Sequence, residues 1–132
     1  MTRHRIVTAP ELAKPVGFAH AVAAAPGSTV YLGGQTAQDA SGAIVGTGMA
    51  EQFDVAAGNV VTALRAAGGE PGDLVSVQIF VTDVAAYKAA LEELGPLWRK
   101  HFGRHYPAVA LFGVVELFDS EALIELVGVA VV

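Results

Sequence analysis

Leu123-Ile124-Glu125-Leu126-Val127-Gly128-Val129-Ala130-Val131-Val132 closes the chain, apolar throughout except for one charge, Glu125. Upstream, after Pro107, Ala108 to Val115 is apolar at nearly every position. Runs of this length, rich in β-branched residues, read as strands buried on both faces. Working back from them, Leu74 to Val81 alternates. Val75, Val77, Ile79 and Val81 are expected on one side, Ser76 and Gln78 on the other.

Between these strands the period changes. Phe53, Ala56, Ala57, Val60, Val61, Leu64 and Ala67 recur at spacings of three and four, which predicts a helix over Met49 to Ala67. Glu51 suits its first turn and Gly68-Gly69 its end. Thr82 and Asp83 are candidate caps for a second helix carrying Tyr87, Ala90, Leu91, Leu94, Trp98 and Phe102 on one face. Gly95-Pro96 falls inside it, so a kink or break is expected there. Near the start, Arg5-Ile6-Val7, His20 to Ala24 and Ser28 to Gly33 read as short strands, separated by Pro10 and the Pro26-Gly27 turn. Asp39 to Gly42 is turn chemistry.

The order is strands, helix, strand, helix, two strands, an α+β arrangement with a mixed β-sheet and two helices on one face. Two helices cover one face of such a sheet, and the other must be shielded elsewhere. Partner subunits are the economical cover.

Composition agrees and excludes several classes. At 132 residues without repeat, linker or low-complexity stretch, the chain fits one domain, 1–132. It is 53% apolar and 16% charged, which argues against disorder. No run reaches the roughly 18–20 apolar residues of a membrane helix. The basic start Met1-Thr2-Arg3-His4-Arg5 is not followed by the apolar core of a signal peptide, so a cytoplasmic protein is expected. Cys is absent, which excludes disulfides, thiolate metal sites and a cysteine nucleophile. A net charge of −5 with scattered basic residues argues against nucleic-acid binding.

Several local motifs, in this order, make the chain resemble the RidA family along essentially its whole length. They are Val16-Gly17-Phe18-Ala19-His20-Ala21-Val22, Gly33-Gly34-Gln35, the Asp39 to Gly42 turn, Glu51-Gln52 and Asn59. They continue with Ala66-Ala67-Gly68, Gly72-Asp73-Leu74-Val75, Phe80-Val81-Thr82-Asp83, Pro107-Ala108-Val109 and Ile124-Glu125. The resemblance implies a chorismate-mutase-like fold, a homotrimer around a central barrel, and small-molecule clefts between subunits. It implies hydrolysis of reactive enamines and imines to ketones, with release of ammonia and no cofactor. Some members were named as ribonucleases.

Carried across by position, the resemblance makes Glu125 the catalytic carboxylate that handles water. The substrate-binding positions become Phe18, His20, Gly33, Gly34, Val109 and Ala110. Three of these depart from the family pattern. Val109 stands where an arginine grips the substrate carboxylate, Phe18 where a Tyr is typical, and Gly33 where a Ser is typical. Valine cannot hold an anion, and losing a paired buried charge costs about 2–5 kcal/mol. A greasier cleft is therefore expected, with weak or absent activity on classic 2-imino acids and a preference for neutral ligands. Binding without chemistry is the alternative.

The residues leave other readings open. Glu125, an isolated charge in an apolar strand, either works in acid–base chemistry or lies at a solvated or paired edge. Arg104, or Arg3 or Arg5 of another subunit, could replace the missing anchor. His20 could carry a proton, or simply hold backbone. His101 and His105, four apart, would suit one helix face, but no third ligand accompanies them, so no metal is expected. Trp98 belongs to the core stripe. Ribonuclease chemistry lacks a basic cluster to hold phosphate.

Overall fold

In chain order the residues form β1 (Arg5–Val7), β2 (Ala21–Ala23), β3 (Thr29–Tyr31), α1 (Met49–Ala66), β4 (Leu74–Val81), α2 (Val84–Ala89), α3 (Leu91–Phe102), β5 (Ala108–Gly113) and β6 (Ile124–Val131). This computed structural model describes residues 2–132; Met1, of the basic N-terminal stretch, lies outside the described residues. β1 and β2 pair antiparallel as a separate two-stranded sheet. The main sheet has the order β3-β6-β4-β5 and is mixed, because only the β4–β5 pairing is parallel.

The registers sort the side chains of this sheet into two faces. Gly128–Val77–Val109, Leu126–Ile79–Leu111 and Ile124–Val81–Gly113 form rows on one face. There Val77, Ile79, Val81, Ile124 and Leu126 are buried against Phe53, Ala56, Ala57, Val60 and Leu64 of α1 and Leu94, Trp98 and Phe102 of α3. The alternate positions form three rows on the opposite face. They are Tyr31–Val129–Ser76–Ala108, Val127–Gln78–Ala110 and Glu125–Phe80–Phe112. No helix lies over these rows, and Tyr31 is 80% exposed.

Several expectations need correction. β6 is not buried on both faces of this chain: its burial alternates residue by residue until Ala130 and Val131. β5 is less buried still, because it is the sheet's edge strand. An uninterrupted apolar run does not distinguish a strand covered by its own helices from one left bare. In β4 the buried positions are Leu74, Val77, Ile79 and Val81, while Val75 is only half-buried. A bulge between Leu74 and Ser76 shifts the alternation by one.

Asp83 caps the second helix as expected, its side chain accepting from the Ala86 N–H. The break comes at Ala90 (φ −94°, ψ 2°), and α3 continues through Gly95 and Pro96. Proline removes the N–H that would bond the Glu92 carbonyl, but both residues are exposed, so water can serve that carbonyl. Leu91 is 54% exposed and off the core stripe, and Ala67 is an exposed cap beyond α1. His105 lies past the end of α3, so it does not share a helix face with His101. Its ring Nε2 donates to the Leu74 carbonyl (2.7 Å), while its own carbonyl accepts from the Trp98 indole (3.0 Å).

Two polar side chains tie loops to α1. Gln52 is 1% exposed and fully satisfied. Its amide donates to the carbonyls of Gly46 (3.0 Å) and Glu121 (2.9 Å) and accepts from the Leu123 N–H (2.8 Å). Asn59 donates to the carbonyls of Thr36 (3.0 Å) and Gln38 (2.9 Å). Near the N-terminus, buried His4 accepts from the Ala25 N–H at Nδ1 (2.9 Å) and faces the Val131 carbonyl with Nε2 (3.0 Å). That pairing requires the neutral ring protonated at Nε2.

α1 and α3 are also joined by Asp54, which accepts from His101 (2.6 Å) and Lys100 (2.9 Å). The His101 hydrogen bond, with Lys100 behind it, holds the Asp54 carboxyl below the usual carboxylate range. A depressed carboxyl stabilises the fold above its unfolded value, about pH 4, and that contribution is lost as pH falls through the lower folded value. Asp54→Asn is therefore expected to lower Tm by a few degrees near neutral pH, with the gap to the parent closing below about pH 4. Thermal melts across that range check it.

Candidate functional site

The bare face of the sheet carries one charge among its paired rows, Glu125. Its position follows from its neighbours. Ile124 and Leu126 are both 0% exposed in the core, so the residue between them must point the other way. Phe80 stands beside it on β4 and Phe112 beyond that on β5. The two rings stack at 5.3 Å with 20° between their planes, and Phe112 is 42% exposed.

The far side of Glu125 is formed by Gly33 and Gly34. After Tyr31 pairs with Val129, the Leu32 N–H bonds the Gly128 carbonyl (3.0 Å). Gln35 then exchanges two 2.9 Å hydrogen bonds with Leu126. Gly33 and Gly34 therefore stand opposite the single residue Val127, as a bulge. A Cβ on Gly34 would fall on the Glu125 carboxylate, whereas one on Gly33 would meet nothing within 4 Å. Gln52 and Asn59 anchor the approaches, at residues 121–123 and 36–38.

Among the described residues the ion pairs are Arg65–Glu70, Lys100–Asp54 and His101–Asp54, and none includes Glu125. Arg104 precedes β5 and lines a groove of about 850 Å³ with Glu70, Asp73, His101 and His105, at the opposite end of that strand from Phe112. Arg3 donates to the carbonyls of Pro26 (2.8 Å) and Val131 (3.4 Å), near the end of β6 remote from Glu125. Among the described residues no group of three His, Cys, Asp or Glu could hold a metal ion.

The other expected positions divide. Ala110 shares the bare face with Glu125, one row away. Val109 does not: it pairs with buried Val77 and packs against the helix-side core. Phe18 and His20 flank Ala19, whose N–H bonds the Pro107 carbonyl (2.9 Å) as it pairs with Ala108 along the outer edge of β5. The Phe18 and His20 rings meet edge-on at 6.0 Å. Nδ1 of His20 accepts from the Ala9 N–H (3.0 Å) and Nε2 faces the Ala13 carbonyl (2.9 Å), so both nitrogens hold loop backbone. The loop just before Phe18, from Lys14 to Gly17, walls a second groove of about 620 Å³ with Tyr87, Trp98 and Tyr106.

Phe80 and Phe112 are not among the site positions expected from the sequence, although Phe80 opens one of the motifs that carry the resemblance. The signal available was the step of two along β4, which places Phe80 on the side of Gln78 and away from Ile79.

Comparison with known proteins adds independent information. The sequence model of the endoribonuclease L-PSP family matches residues 8–132. A human 2-iminobutanoate/2-iminopropanoate deaminase is 29% identical over 104 residues, which cover 78% of this chain and 72% of that protein. Among solved structures, YyfB of the conserved Rid family from Yersinia pestis, of unknown function, is 28% identical. It superposes with a TM-score of 0.88 over 99% of this chain and 100% of its own. The YjgF gene product of E. coli is 25% identical, with a TM-score of 0.70 over 80% of this chain and 81% of its own.

The glycine pair supplies a test of this geometry. Gly34→Ala should displace the Glu125 carboxylate from its rotamer at a cost of about 1 kcal/mol, while Gly33→Ala should change stability by less than about 0.5 kcal/mol. Denaturant titration of both variants reads the difference, and a crystal structure of Gly34→Ala reads the displacement.

Proposed function

Because this chain belongs to the endoribonuclease L-PSP family, which includes the RidA deaminases, we propose that it hydrolyses uncharged imines or enamines. The reaction takes place in clefts between the subunits of a homotrimer of single RidA-like domains, in the cytoplasm, with Glu125 as the catalytic carboxylate. The observation that carries this reading is the setting of Glu125: the one charge on the bare rows, against the bare α-carbon of Gly34, and outside every ion pair among the described residues. In the reaction Glu125 takes a proton from water as its oxygen adds to the C=N carbon. That proton passes to the nitrogen and gives a carbinolamine; Glu125 then takes the carbinolamine's hydroxyl proton and returns it to the nitrogen as the C–N bond breaks, and a carbonyl compound and ammonia leave. General acid–base help of this kind is worth about 10²–10⁴ in rate.

Two features support association between copies, and three is the number that the likeness to the RidA family implies. The bare face is apolar at Val127, Val129, Ala108 and Ala110, and a second copy would exclude water from it. Glu125 and Val109 also lie on opposite faces of one sheet, so they can share a cleft only if different copies supply them. Such a seam would bring Glu125, Gly33 and Gly34 of one copy to Phe18, Val109 and the edge of β5 of the next. With valine in place of arginine, position 109 offers no guanidinium to a substrate carboxylate, which favours an uncharged substrate.

Native mass spectrometry should find three copies at low micromolar concentration. Ammonia release from an uncharged N–H ketimine should exceed that from 2-iminopropanoate, and Glu125→Gln should cut it about 10²-fold or more. Val109→Arg should raise the rate on 2-iminopropanoate. A folded monomer would remove the seam. Thermal stabilisation by neutral compounds, with no imine accelerated, would make the protein a binder without chemistry.

A further inference from the structure

We infer that Gln38 and Asp119 are positioning residues, whose hydrogen bond clasps together the two backbone segments flanking Glu125 and sets its spacing from Gly34. Their role rests on the proposed hydrolysis at Glu125 and adds to it the device that holds the carboxylate at a working distance. Nε2 of Gln38 donates to Oδ2 of Asp119 at 3.0 Å, across 81 positions of sequence. Gln38 lies four residues beyond Gly34, and Asp119 six before Glu125. The bond therefore joins the segment that forms one wall of the carboxylate to the segment that carries it.

The two ends of the clasp are held unequally. Gln38 is a fixed post: its carbonyl accepts from Asn59 of α1 (2.9 Å), its backbone bridges to Ile44, and its neighbour Ala37 is fully buried. Asp119 belongs to the connection from β5 to β6, which contains no helix or strand. Among the described residues, its bond to Gln38 is the one side-chain hydrogen bond that residues 114–120 make. Downstream, the Ala122 N–H bonds the Asp119 carbonyl (3.0 Å), and Gln52 holds Glu121 and Leu123 (2.9 and 2.8 Å). The clasp thus fixes the start of a turn whose end delivers Glu125. Spacing there has no slack, because a Cβ on Gly34 would fall on the Glu125 carboxylate. A general base works within about 2.6–3.2 Å of the proton's donor atom, and a misplacement of about 1 Å costs on the order of 10²-fold in rate. The Gln38–Asp119 bond is exposed to water, so its loss should disturb geometry more than global stability.

The test measures ammonia release from the N–H imine of butanone, generated in situ, by the intact protein and its variants. Asp119→Ala and Gln38→Ala should each lower kcat about tenfold, with KM within about twofold and Tm within a few degrees of the parent. The double variant should be no slower than either single one, because the two residues act as a unit. Asp119→Asn keeps an oxygen that accepts the same hydrogen bond, so it should retain the parent kcat to within about twofold. Parent kcat in both alanine variants overturns the clasp while the hydrolysis stands. So does Asp119→Asn as slow as Asp119→Ala, which would make the charge the working feature in place of the bond. If the parent does not turn over the imine, the hydrolysis fails and the clasp falls with it.

Discussion

The sheet β3-β6-β4-β5 has its helices on one side, and among the described residues no helix covers the other; the positions of Glu125 and Val109 follow from that asymmetry. Side chains alternate along a strand, so each residue committed to the core sends its neighbours to the uncovered face. Ile124 and Leu126 fill the core completely, and Glu125 between them has one direction left. A slip of one residue would drive the carboxylate among Phe53, Val60 and Leu64, where an unpaired charge costs many kcal/mol. The apolar pattern of β6 thus fixes the position of the charge as firmly as any direct contact.

Two amides convert that constraint into a shaped site. Gln52 and Asn59 both lie on α1, and each gathers backbone from a segment that irregular structure alone would leave loose. Gln52 holds the approach to β6, and Asn59 holds the segment that follows Gly33 and Gly34. Because Gln52 is buried and every polar atom of its side chain is paired, the arrangement is a rigid one. The glycine bulge then leaves room at the carboxylate that any Cβ at Gly34 would take.

Kinship with an imine deaminase and the departures from the family pattern point in compatible directions. In the proposed reading Glu125 keeps the carboxylate position, and Val109 fills the position that grips an anion. That valine does not face the carboxylate within one chain, so under the proposed hydrolysis the two would meet only across a seam between copies. Phe80, stacked on Phe112, gives the carboxylate an apolar neighbour, a setting that suits the uncharged substrate proposed.

Much of this was legible in the residues alone. The element order, the span of α1, the Asp83 cap and the solitary charge in the last strand follow from local periodicity and capping chemistry, which depend only on nearby residues. Other features belong to the tertiary structure: β5 as the edge strand, the bulge at Leu74–Ser76, the helix break at Ala90 instead of Pro96, and Val109 turned away from Glu125. An apolar run reads the same whether its cover comes from its own helices, from another copy or from nowhere. Which face a residue occupies is decided by strand pairing between segments far apart in the chain, and that long-range register leaves no mark in any local window of sequence.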